Sequence, residues 1–123
     1  MGLDMYATAF PAGTTEPGKE DFFYEIKYWR KHHDLHGWMA RKWLESNPDK
    51  TEDDFNLVYL KLDKDTLLKL QHDVLHDQLP NTTGFFFGNY PPDEESKKED
   101  IQFIEDALAE LDKGNVVYYH SWW

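Results

Sequence analysis

Apolar positions along this chain switch between a period of about two residues and one of about 3.6, and the switches mark out its elements. Leu3 to Phe10 alternates loosely and stops at Pro11, which predicts a short strand. Gly13, Thr14, Thr15, Pro17 and Gly18 then read as a loop by composition. Phe22 to Ile26 is β-prone, either as a strand or as a lead into the next element. Glu25 to Leu44, EIKYWRKHHDLHGWMARKWL, fits one amphipathic helix. Its helical part is expected over about residues 28–46, because Pro48 disfavours helix at the residue before it. On a wheel of about 100° per residue, Tyr28, Trp29, Leu35, Met39, Ala40 and Trp43 share one face. His32 and His36 fall in the middle of that face. Arg30, Asp34, Gly37 and Arg41 lie opposite, and Trp38 sits among the polar positions.

Phe55 to Leu62, FNLVYLKL, reads as a strand. Asp63 or Asp65 then caps a second helix that runs to about Gln78, with Leu67, Leu68, Leu70, Val74 and Leu75 as its apolar face. Ser96-Lys97-Lys98-Glu99 matches a capping box and opens a third helix. Ile101, Ile104, Ala107, Leu108 and Leu111 form the core face of that helix, and Gly114 stops it. Val116 to Trp123 is a β-prone terminal strand. These elements predict a single α+β domain over residues 1–123, with about three helices packed on a small, mostly antiparallel sheet of three or four strands.

Composition adds firmness to that picture. In 123 residues the chain has 40% apolar and 16% aromatic residues, which supports a packed core and argues against disorder. It has no Cys, so disulfides and thiolate metal sites are excluded. Nothing approaches the roughly 18 apolar residues of a membrane span. No signal sequence is recognisable at the N-terminus, and the expectation is a cytoplasmic protein.

The formal charge is −11, and its placement matters more than its size. Six acids and six bases cancel over residues 1–44. The excess lies in residues 45–77, with nine acids and four bases, and in 91–113, with nine acids and three bases. Such a surface opposes direct contact with nucleic-acid phosphates and attracts a partner with a basic surface. Lysines interrupt the acidic runs, which weakens a reading as a DNA mimic. By contrast, Gln78 to Pro92 carries no charge and holds three consecutive phenylalanines between Gly84 and Gly88. That run fits a buried strand or an aromatic contact loop with hinge-like glycines.

Candidate chemistry concentrates in and around the first helix. His32 and His36 at i,i+4, repeated by His72 and His76, have metal-chelating spacing. The first pair is central on its helix and the second marginal, so a shared site is not expected and no cofactor is implied. A buried His36 needs a hydrogen-bond partner, for which a carboxylate, a tyrosine hydroxyl or a backbone carbonyl would serve. Arg30 and Lys31 beside Tyr28 and Trp29 could clamp a phosphate or carboxylate. Trp38, placed on the polar side, reads as an exposed contact residue. Neither a phosphate loop nor an activated nucleophile is recognisable.

Four blocks taken together, MGLDMY, EI-x-YWRK…LH-x-W, LP…GFFFG and Y-x-S-W, resemble a family of small proteins of unknown function from tailed bacteriophages. The resemblance spans nearly the whole chain. It matches Glu25, Tyr28, Trp29, Arg30, Lys31, His36, Trp38, Gly84, Phe85, Phe86, Phe87 and Gly88. The Trp122-Trp123 ending departs from the Ser-Ser-Trp ending associated with that family. The resemblance implies a phage-encoded protein acting inside the host cell, without specifying a reaction. The leading expectation is an acidic accessory protein that binds and modulates a host protein, as a defence or takeover factor, with no direct nucleic-acid or membrane partner. The alternative is a small-molecule or nucleotide/phosphate site, binding or hydrolytic, formed by Trp29, Arg30, His36 and the loop containing Gly84, Phe86 and Gly88.

Overall fold

A computed structural model describes residues 3–20, 23–30, 32–76, 78–79 and 94–123. The Gly84–Gly88 segment and Lys31 lie outside the described residues. The strand expected at the start is present as β1 (Asp4–Phe10). It pairs antiparallel on one side with β2 (Tyr24–Arg30) and on the other with the last strand, β4 (Val116–Trp122). A two-residue strand, β3 (Leu60–Lys61), borders β4, which gives the order β2-β1-β4-β3 with every pair antiparallel. Three helices, α1 (His33–Ser46), α2 (Lys64–Leu75) and α3 (Glu94–Asp112), complete an α+β fold among the described residues.

Strand alternation sorts the sheet into two faces. Met5, Ala7, Ala9, Trp29, Val117 and Tyr119 form the core face, all buried. The helices pack on that side. Phe103 of α3 meets Trp29 edge-on at 4.8 Å between ring centroids, and His36 of α1 meets Tyr119. A register shift between Ala7 and Thr8 leaves Ile26 as an extra residue in β2, so Glu25, not Ile26, lies opposite Thr8.

The single helix expected from residue 28 is corrected by the structure. Tyr28, Trp29 and Arg30 belong to β2, opposite Tyr6, Met5 and Asp4. Tyr24, Ile26, Tyr28 and Trp29 are good strand formers, and the adjacent β1 edge satisfies their backbone groups. The helical pattern over 25–44 therefore merged two elements. The helix begins where His36 N–H bonds to the His32 carbonyl. From His33 to Ala40 every residue of α1 is buried. Asp34, Gly37 and Trp38, expected to face outward, are thus inside; α1 reaches the sheet through His36 and Tyr119 and α2 through Trp38 and Asp73.

The strand expected over 55–62 is likewise mostly replaced. Thr51 and Asp54 form a capping box that starts a short 3-10 turn over Glu52–Phe55. Leu57 then adopts a left-handed backbone with φ of 65°. The Asn56 amide takes over the strand's role: it donates to the Trp123 carbonyl and accepts from the Trp123 N–H. Only Leu60 and Lys61 form ladder pairs.

Helix α2 starts as expected at Asp63, whose carboxylate accepts from Thr66 N–H at 2.8 Å. That bond holds the carboxyl below its usual range. Its buried stripe is narrower than predicted: Leu67, Leu70 and Val74 are inside, while Leu68 and Leu75 are exposed. Helix α3 begins at Glu94, before Ser96, and buries Phe103, Ile104 and Ala107. Gly114, at φ of 91°, ends it as expected.

Candidate functional site

The residues singled out in the sequence fall into two groups on opposite sides of the sheet. Trp29, His36 and Trp38 are core residues, each with an internal partner. Trp29 Nε1–H donates to Asp100 Oδ1 at 3.2 Å, and His32 Nε2 lies 2.7 Å from Asp100 Oδ2. The carboxylate is 2% exposed and bridges β2, α3 and the start of α1. Trp38 Nε1–H donates to Asp73 Oδ2 at 2.8 Å, so the expected exposed indole instead ties α1 to α2. Burial raises the proton affinity of Asp73, but its bonds to Trp38, His72 and Lys69 outweigh this and hold the carboxyl below its usual range.

His36 pairs with the Tyr119 hydroxyl, 2.8 Å from its Nδ1, one of the partners anticipated for it. Phe55 stacks on its ring and Trp123 meets it edge-on at 4.8 Å. Burial, assisted by the neighbouring His33, pushes its pKa down to about 4. The same burial drives the Tyr119 hydroxyl well above its ordinary value. The pair is thus a neutral hydrogen bond inside an aromatic box at physiological pH. His72 on α2 and His76 just after it are exposed with their rings 4.4 Å apart, whereas His32 is half-buried and His36 buried.

Tyr28 and Arg30 project, by alternation, to the other face of the sheet. The Tyr28 hydroxyl donates to Asp4, which also accepts from Trp122 Nε1–H at 3.2 Å. This face, opposite the one on which α1 and α3 pack, is strongly aromatic. The His120 ring stacks between Tyr6 and Tyr59, with centroids at 4.9 and 4.4 Å. Burial in that stack lowers its pKa and keeps the imidazole neutral. Phe10 and Tyr118 pack edge-on beside the stack at 5.7 Å. Phe23, Tyr28 and Trp122 leave 64%, 43% and 57% of their surfaces exposed around it.

A cavity of about 300 Å³ opens between this face and the 11–20 loop. Phe10, Phe23, Tyr59 and His120 supply its aromatic wall. The loop contributes Pro17, Gly18 and Glu20, held in place by the Tyr118 hydroxyl bonding to the Thr14 carbonyl at 3.1 Å. A side chain at Gly18 would meet Tyr59 at 3.6 Å, so the loop lies directly on the stack. Thr8 and Glu25 complete the sheet side of the lining. Among the described residues the wall therefore carries two carboxylates and no lysine or arginine. Aromatic faces beside carboxylates suit a cationic or apolar group and repel a phosphate.

Sequence reasoning passed over Tyr6, Phe10, Tyr59 and His120. The signal was present in the period of two: Tyr6 and Phe10 alternate with Met5, Ala7 and Ala9, and Tyr118, His120 and Trp122 alternate with Val117, Tyr119 and Ser121. The acceptors Asp73 and Asp100 were also legible, since each is a lone acid on its helix's apolar stripe, beside Leu70 and Val74 or Phe103 and Ile104. Comparison of the chain with family models, with curated proteins and with solved structures found no match.

Proposed function

We propose that this chain is a small acidic accessory protein of the tailed-bacteriophage type that binds a basic surface of a host protein in the host cytoplasm and modulates it. The observation that carries this reading is the sheet face opposite the three α-helices, where exposed Phe23 lines a cavity walled by rings and carboxylates and exposed Tyr28 and Trp122 lie farther along the same strands. Exposed aromatic patches of this kind favour macromolecular contact. The net charge of −11 steers such contact toward positively charged partners.

A nucleotide or phosphate site around Trp29, Arg30 and His36 draws less support. The sheet separates Arg30 from the other two, and both of those are engaged in the core. The test is affinity capture from host lysate with the tagged chain and with a Phe23→Ser/Trp122→Ser variant of unchanged circular dichroism. The expected result is a stoichiometric partner that elutes with salt and is lost with the variant. Recovery of no partner at low salt, or equal recovery by the variant, refutes the reading.

A further inference from the structure

The geometry points to the cavity beneath the 11–20 loop as a receptor for a single arginine side chain presented by a protein partner. This rests on the reading of the chain as a binder of basic protein surfaces and specifies what that surface must offer.

Size is the first reason. At about 300 Å³ the cavity is at the lower end of ligand pockets, suited to one side chain and too small for a dinucleotide. Charge is the second. Among the described residues Glu20 and Glu25 are the charged groups of the wall, from the loop and from β2 respectively. Glu25 is exposed and makes no ion pair among the described residues. Lys19 of the loop pairs with Glu16 at 3.5 Å, and neither it nor Arg30 beside Asp4 nor Lys61 beside Tyr118 is part of the cavity wall. His120, neutral in its stack, adds no opposing charge.

Ring geometry is the third reason and selects guanidinium over ammonium. Three rings of the wall lie together, Phe23 exposed and Phe10 buried, with Phe10 6.2 Å from Phe23 and 6.3 Å from Tyr59 between centroids. A planar, weakly hydrated guanidinium stacks on such rings while its N–H groups reach carboxylates and the Thr8 hydroxyl. A compact ammonium keeps more of its hydration and gains less from the rings. The methylene stem of arginine would run between Phe23 and Pro17, which removes apolar surface from water.

The test is an NMR titration that follows the aromatic resonances of Tyr59, Phe10 and Phe23. The probes are N-acetyl-arginine methylamide and its lysine and norleucine counterparts. The expected result is saturable shifts with the arginine probe, with a dissociation constant in the millimolar range, and binding about tenfold weaker or worse with the other two. In Glu25→Gln, an exposed change that leaves the fold intact, the arginine shifts should weaken by about threefold to tenfold. Equal response to norleucine would show a merely apolar cleft, and equal response to lysine would remove the guanidinium preference; either overturns the assignment, as does the absence of saturable shifts. Affinity capture with Glu25→Gln separates the two levels of inference. A partner captured while the arginine probe fails would sink the cavity assignment alone. Saturable arginine binding with no captured partner would sink the host-protein reading alone.

Discussion

Acidification offers a direct check on the environment assigned to His36. The imidazole is 5% exposed, bonded to the buried Tyr119 hydroxyl and enclosed by Phe55 and Trp123. Its pKa falls from 6.5 in the open chain to about 4 in the folded one. The unfolded chain therefore binds this proton more tightly than the native one. Stability from His36 is complete above pH 6.5, declines as pH drops below that value, and is fully lost below about pH 4. The whole shift corresponds to about 3 kcal/mol. At pH 5 the unfolded residue is nearly all protonated and the native one nearly all neutral, a factor of about 30 in the folding equilibrium, or about 2 kcal/mol.

The assay is urea denaturation at pH 8, 7, 6 and 5 for the wild type and for His36→Asn. Asparagine can place a polar atom close to the Nδ1 position and does not titrate. Carboxylates and the other histidines contribute to both curves and cancel in the difference. The wild type should lose about 2 kcal/mol more than the variant between pH 8 and pH 5. Direct titration of the His36 Hε1 resonance gives a second measure that needs no variant, with the midpoint expected below pH 5. Parallel stability curves, or a midpoint at 6 or above, would refute the assigned burial.

Three further outcomes follow from particular contacts. Trp38→Phe keeps a ring but removes the Asp73 donor; it should cost about 1–2 kcal/mol in urea denaturation, and a neutral result would show that the bond adds nothing. Leu57→Asn should raise stability by about 0.5–1 kcal/mol, because Leu57 is exposed and holds φ of 65°, which asparagine tolerates better. Gly114→Ala should cost about 1 kcal/mol through backbone strain alone, since a Cβ there meets nothing within 4 Å while φ is 91°; Gly114→Asn should recover part of the loss in the same thermal-melt comparison.

Much of the local structure follows from the sequence read in order. The strands at both ends, the Asp63 cap, the Gly114 stop and the α+β class all depend on neighbours within a few residues: alternation, a carboxylate three residues before an N–H, a glycine after a lysine. The burial of His36 and its need for a polar partner were also legible from its place on an apolar stripe. Residues 84–88, part of the blocks that carry the resemblance, lie outside the described residues.

What the sequence could not decide was set by pairing between distant segments. Whether Tyr28 to Arg30 are strand or helix depends on a free β1 edge, and a helical wheel carries no information about that edge. Whether Trp38 is surface or core depends on α2 bringing Asp73 against it from 35 residues away. The aromatic face depends on register, because Tyr6, Tyr59 and His120 become one stack only when β1 and β3 are hydrogen-bonded to β4 on either side. Alternation names the residues that share a face within one strand. Only the closed sheet determines which strands lie side by side, and therefore which side chains together form a site.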